Sequence, residues 1–182
     1  MRKCVGAVGW LLLVASVLAC AQSVADKPAS PTENTVSSAK PPGPSPAVLE
    51  REFFTVVRNG NVKQFMEYVP DDGVNIGRDA EHNTRAEIES QLTSRKGLYC
   101  TLFDSSCIQS TIKLDASAPP CSYRELLTQS DKVRTASTET TRNGVRQAFL
   151  VAEVHNQKCA GPGLIDFIFN YRKDGWKLFS IP

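Results

Sequence analysis

The sequence predicts an α+β domain: N-terminal helices packed on a curved antiparallel sheet of about four to five strands. Three observations predict it. Apolar residues recur at helical spacing through AVLEREFFTVVRNG and again through NVKQFMEYVP. The second half changes period, with β-rich runs on either side of Asn143-Gly144 and of Asp174-Gly175. Helices that come first and strands that follow argue for separate layers sharing one core.

The first helix opens at Pro46, a residue suited to the first turn, with Ser45 as N-cap. It sets Leu49, Phe53, Val56 and Val57 on one face and ends at Asn59-Gly60. Asn61 caps a second short helix bearing Val62, Phe65, Met66 and Val69, and Pro70 lies just beyond it. GVNIGR reads as a short strand. TRAEIESQLTSRKG opens with a capping box from Thr84 to Glu87 and runs to Gly97. Residues 98–120 read as irregular, and Ser122-x-x-Glu125 caps one more short helix. KVRTASTETT, VRQAFLVAEVH, LIDFIFNYR and WKLFSI then form a four-stranded meander with two tight turns.

Outside this domain, assigned to residues 46–182, two segments differ in kind. Arg2 and Lys3 precede the apolar run GWLLLVASVLA, and small residues follow it, which is the pattern of an export signal over residues 1–21. Its apolar centre is shorter than the ~20 residues a membrane span needs. Two cuts compete. Ala19-Cys20-Ala21 suits cleavage before Gln22. Val17-Leu18-Ala19-Cys20 resembles a bacterial lipobox, in which the chain is cut before Cys20 and the cysteine carries a lipid. Residues 22–45 are rich in Pro, Ser, Thr and Ala and contain no aromatic residue. Such a segment buries too little apolar surface to offset its ordering entropy, and reads as a disordered tether. A tether beside a lipid site would hold a domain clear of the headgroups, which favours Cys20 as the lipidated residue.

The chain carries 21 basic and 19 acidic residues, a formal charge of +2. Arg2 and Lys3 account for that excess, so the remainder is neutral and has no electrostatic hold on a phosphate backbone. This argues against a nucleic-acid partner. Either cut leaves Cys100, Cys107, Cys121 and Cys159. Four cysteines in an exported chain favour two disulfides. They allow three pairings, and Cys100–Cys107 with Cys121–Cys159 is preferred because the first pair closes a short loop.

The paired helices LEREFFTVVRNGNVKQFMEYV, the strand GVNIG before a third helix and the closing strand KDGWKLFSI resemble the nuclear transport factor 2-like superfamily of cone-shaped domains, over about residues 46–182. A cystatin-type helix on an antiparallel sheet reads similarly. The resemblance implies a pocket between the helices and a concave sheet. It also implies frequent pairing of two copies through the sheet's outer face. Some members are isomerases, dehydratases or cyclases; many others bind ligands or partners without chemistry.

Candidate chemistry is sparse. In LIDFIFNY, Ile165, Phe167, Phe169 and Tyr171 share one face, and Leu164, Asp166, Ile168 and Asn170 the other. Were the second face to line a pocket, Asp166 would be a carboxylate among apolar neighbours and a candidate general base. Glu153 and His155 share a face of VRQAFLVAEVH and form a candidate acid–base pair, with His155 the better suited to proton transfer near neutral pH. GRDAEHNTRAEI gathers Arg78, Asp79, Glu81, His82 and Arg85 before a helix N-terminus. It has one histidine and no regular ligand spacing, so no metal site is read there. Trp176 and Tyr99 read as core aromatics rather than ligand platforms. No nucleophile elbow, phosphate loop or dinucleotide fingerprint is present, and no cofactor is implied.

The sequence therefore points to an exported, lipid-anchored domain of a bacterial cell envelope with a non-enzymatic binding or accessory role. The alternative is a small-molecule lyase or isomerase using His155 or Asp166 as base, in a periplasmic or secreted soluble form. The expected partners are the membrane, through the lipid, and a second copy of the chain; no ligand is identified.

Overall fold

The computed structural model describes residues 43–108, 119–158, 161 and 163–181. The segment read as an export signal, Cys20, the part of the expected tether up to residue 42, and Cys159 lie outside the described residues.

Helix α1 (Pro46–Asn59) starts as its sequence dictates, with Ser45 extended at φ −70° and ψ 155° and Pro46 in the first turn. Gly60, at φ 64°, ends it by donating its N–H to the carbonyls of Val56 and Val57. Helix α2 (Val62–Tyr68) is capped by Asn61, whose side-chain oxygen accepts from the Gln64 N–H at 3.1 Å. Strands β1 (Val74–Ile76) and β2 (Glu81–Asn83) form a small hairpin. Helix α3 (Arg85–Thr93) has the Thr84–Glu87 capping box, and α5 (Tyr123–Gln129) has a second one between Ser122 and Glu125. Between them lie α4 (Leu98–Phe103) and a 3₁₀ turn (Ser105–Cys107).

The remaining strands are β3 (Lys132–Arg142), β4 (Val145–His155), β5 (Leu164–Arg172) and β6 (Gly175–Ile181). Asn143 at φ 51° and Gly144 at φ 76° make the β3–β4 turn, both in the left-handed region that a two-residue hairpin of matching twist requires.

Among the described residues, six strands form one sheet in the order β2-β1-β6-β5-β4-β3. This corrects the expected four to five antiparallel strands in two respects. The sheet has six strands, because Glu81–Asn83 pairs with β1 although its residues have no strand character. It is mixed, because β1 runs parallel to β6, matching Asn75 with Ser180 and Ile76 with Ile181. The α1–α2 pair returns the chain beside the last strand, an arrangement set by tertiary packing rather than by local pattern.

Two further boundaries differ from expectation. Helix α3 stops at Thr93 rather than near Gly97, and Arg95 adopts φ 57°. The stretch read as irregular contains α4, which buries Leu98, Cys100, Leu102 and Phe103. Four buried residues of six leave no polar face, so the helix carries no amphipathic signature. Cys100 is disulfide-bonded to Cys107, with Cα atoms 5.4 Å apart. Cys121 is also disulfide-bonded.

One face of the sheet meets the helices. On β5 this face carries Ile165, Phe167 and Phe169, and on β4 Ala148, Leu150, Ala152 and Val154. Phe53 of α1 stands at the centre, its ring 4.8 Å from Phe167, 4.9 Å from Phe169 and 5.8 Å from Phe65. Phe65 reaches Phe103 of α4 at 5.8 Å, and Tyr123 of α5 meets Phe167 at 5.9 Å. The opposite face carries Phe149, Val151 and Ile168, all half-buried, and an amide pair in which the buried Gln147 donates to the half-buried Asn170 at 2.8 Å.

Candidate functional site

Asp166 lies on the sheet face opposite the helices. It is directly across from Val151 of β4 and half-buried. The face chosen for the core is the one carrying Ile165, Phe167 and Phe169, so Asp166 does not point into the helix–sheet interior. That interior is filled by the rings of Phe53, Phe54, Phe65, Phe167 and Phe169, each almost fully buried.

His155 is exposed at the end of β4, paired with Lys132. It shares a face with Asp166, but four residues of strand separate their levels, about 13 Å. They cannot act on one substrate atom from those positions. Glu153 approaches Arg134 at 3.9 Å, with both side chains largely in water. An exposed pair at that distance contributes little.

The loop cluster before α3 is divided among local contacts. His82 Nδ1 lies 3.3 Å from Asn75 Oδ1, and the Arg85 guanidinium donates to the Val69 carbonyl. Glu87 accepts from the Thr84 N–H at 2.7 Å and from its hydroxyl at 2.8 Å, so the positive end of the helix already holds a carboxylate. Among the described residues, no group of three or more His, Cys, Asp or Glu side chains is placed to hold a metal ion.

A charged cleft of ≈570 Å³ lies elsewhere, between the α2–β1 connection and the β5–β6 turn. Arg172 makes a two-pronged contact with Asp72, at 2.7 and 3.0 Å. Lys177 approaches Asp174 at 3.2 Å and donates to the Glu67 carbonyl at 2.8 Å. Arg85 stands 3.9 Å from Asp71. The hydrogen bond from Arg172 holds the Asp72 carboxyl below the usual aspartate value, and the one from Lys177 does the same for Asp174. A general acid requires the opposite shift. The ion pairs of the cleft hold these two carboxylates in their charged form and fix the β5–β6 turn against the α2–β1 connection. Sequence reading missed the cleft, because Arg172 and Asp72 are 100 residues apart and neither stands in a motif.

These carboxylates set the acid response. A group whose folded pKa lies below its unfolded one stabilises the fold fully above the unfolded value. It loses that contribution as pH falls through the folded value. The unfolded reference is 3.8 for Asp72 and 4.5 for Glu87, whose pKa is lowered by the bonds from Thr84. Stability is therefore expected to hold down to about pH 5 and fall progressively below it. Urea midpoints across that range measure the effect, and Asp72→Asn should flatten part of the slope.

A second polar feature is an aromatic corner. Tyr171 and Trp176 face each other across the β5–β6 hairpin with ring centres 5.0 Å apart and planes at 72°. The Arg146 guanidinium lies 4.6 Å from the Tyr171 centre and 5.2 Å from that of Trp176, and bonds Glu139 at 2.6 Å. The indole N–H of Trp176 donates to the carbonyl of Pro44 at 2.9 Å.

Tyr123 of α5 is a titratable group buried within the core. Burial pushes its phenol up to about 12, and the charge of Asp166 adds to the shift. No protein-family model, curated protein or solved structure matches the chain.

Proposed function

We propose that this protein is an exported, lipid-anchored domain of a bacterial cell envelope with a binding or accessory role rather than a catalytic one. The observation that carries the reading is the filled interior. Phe53, Phe65 and Phe167 are fully buried, with the Phe53 ring against both of the others, where a cone-shaped domain would hold its substrate. The candidate bases Asp166 and His155 lie on the other side of the sheet, apart from each other. The charged cleft beside the β5–β6 turn holds ion pairs in which Asp72 and Asp174 are kept charged.

The fold is read as a divergent member of the nuclear transport factor 2-like superfamily, supported by helices N-terminal to one curved sheet. Attachment to the membrane would come from the lipid on Cys20. Among the described residues no helix is long and apolar enough to cross a bilayer. A second copy is the proposed protein partner, through the sheet face bearing Phe149, Val151 and Ile168, with Phe179 38% exposed on β6.

The deciding experiment is a mass spectrum of the mature N-terminus from a bacterial host. A lipid-modified Cys20 is the expected first residue. A chain that begins with unmodified Gln22 would overturn the anchored form. Gel filtration of the mature protein tests the second copy, and a monomer at all accessible concentrations removes it.

A further inference from the structure

Three clefts meet at Glu67. It borders the charged cleft beside the β5–β6 turn, the groove between α1 and α2, and a smaller groove of ≈270 Å³ that shares residues with both. The smaller groove is walled by Leu49, Tyr68 and Trp176. Its charges do not balance. Glu52, Glu67 and Asp174 supply three carboxylates and Lys177 one ammonium, which approaches Asp174 at 3.2 Å and donates to the Glu67 main-chain carbonyl at 2.8 Å. Among the described residues neither Glu52 nor Glu67 has an ion-pair partner, and Arg51, further along the α1–α2 groove, pairs with neither. Two uncompensated carboxylates thus border an aromatic groove. The Tyr68 phenol registers them: burial raises it first, and the charges of Glu52 and Glu67 raise it further.

The walls are fixed before any ligand arrives. The Tyr68 ring meets Phe53 and Phe169 edge-to-face, at 5.2 and 5.9 Å. Trp176 is held by Tyr171, by Arg146 and through its indole N–H. Such a groove suits a cation whose own surface is apolar. A hard metal ion such as calcium takes about six to eight oxygen ligands, and Leu49 and an indole supply none. A bare ammonium is strongly hydrated and keeps its water. An alkylated ammonium ion spreads its charge over methyl groups, and is drawn both to carboxylates and to aromatic rings. The volume is below the roughly 300–1,000 Å³ of pockets for drug-sized molecules, so the occupant is small.

We propose that the groove walled by Leu49, Tyr68 and Trp176 is a binding site for a small alkylammonium ion of the choline type, with Glu52 and Glu67 supplying the opposing charge. The site is independent of how Cys20 is processed and of the sheet face proposed for a second copy. Lys173 lines the adjoining charged cleft and has no ion-pair partner among the described residues. An anionic group carried by the same molecule would meet its charge there.

The test uses the full chain carrying Trp10→Phe, which leaves Trp176 as the sole tryptophan and its indole N–H as a single resonance. Choline chloride should shift that resonance saturably at low salt, with an apparent Kd of about 1–10 mM. Sodium chloride at the same ionic strength should not shift it, nor should the uncharged isostere of choline in which carbon replaces nitrogen. Glu52→Gln and Glu67→Gln, both at exposed positions, should each raise the Kd about twofold to fivefold, and the double variant should raise it further. Glycerophosphocholine tells the two sources of such a cation apart. Binding tighter than choline gives it a lipid-headgroup source, with the phosphodiester toward Lys173. Weaker binding gives it a free solute as source. Either order supports the site.

No saturable shift up to about 100 mM choline would overturn the proposal. So would an equal shift with the uncharged isostere, which would mean an adventitious additive only, or a Kd unchanged in the double variant. A larger response to calcium chloride than to choline at matched ionic strength overturns it as well, because the carboxylates would then be holding a metal ion.

Discussion

Phe53→Ala is expected to remove about 3–5 kcal/mol of stability, the range for truncating a buried phenylalanine. A domain of this size is held by roughly 5–15 kcal/mol, so the variant will be largely unfolded in moderate urea and marginal without it. The size of the effect follows from position. Phe53 is fully buried and its ring meets five others: Phe54, Phe65, Tyr68, Phe167 and Phe169. The contacts with Tyr68, Phe167 and Phe169 are edge-to-face, each adding about 0.5–1.5 kcal/mol beyond the area buried. One side chain therefore joins α1, α2 and β5. Phe53→Leu keeps much of the volume and loses the ring geometry, so it should cost less than half as much. Urea unfolding followed by circular dichroism measures both. A change below about 1 kcal/mol for Phe53→Ala would mean a loosely packed interior, and would reopen the question of a pocket there.

How much of this was legible in the sequence depends on how local each cause is. The stripe of Leu49, Phe53, Val56 and Val57 was readable because helical period places them together, and all four are buried. Phe54 is buried too, although it lies beside that stripe, because the sheet wraps α1 more widely than a single face. The caps of α3 and α5 were readable because Thr84–Glu87 and Ser122–Glu125 are spaced for reciprocal bonding. The alternation along β5 was readable, but its polarity with respect to the core was not. Whether Asp166 or Phe167 faces the helices is decided by Phe53, more than a hundred residues earlier. The parallel β1–β6 pairing and the Arg172–Asp72 contact are equally non-local. Trp176 was read as a core aromatic, and at 5% exposure it is one. What no pattern revealed is that its single polar atom holds Pro44.

Removing the Cys100–Cys107 bridge is expected to have the next largest effect. The bond closes a loop of sequence separation 7. On the chain-entropy relation a loop of that length is worth about 2.4 kcal/mol, or roughly 60-fold in the folding equilibrium. The bridge matters because of what lies inside it. Helix α4 has six residues, far below the ~12–15 at which a helix begins to hold in water without tertiary support. It stays in place through Leu98, Leu102 and Phe103, and through the bond that ties its first turn to the 3₁₀ turn after it. Replacing both Cys100 and Cys107 by alanine should lower the urea midpoint by an amount matching that free energy at an unchanged slope. Hydrogen exchange should quicken first across residues 98–108, while the β4–β5 ladder stays protected. A midpoint indistinguishable from the parent would show that the apolar contacts of α4 suffice. Dithiothreitol added to the parent should reproduce the exchange pattern of the double variant across residues 98–108, where Phe103 meets Phe65.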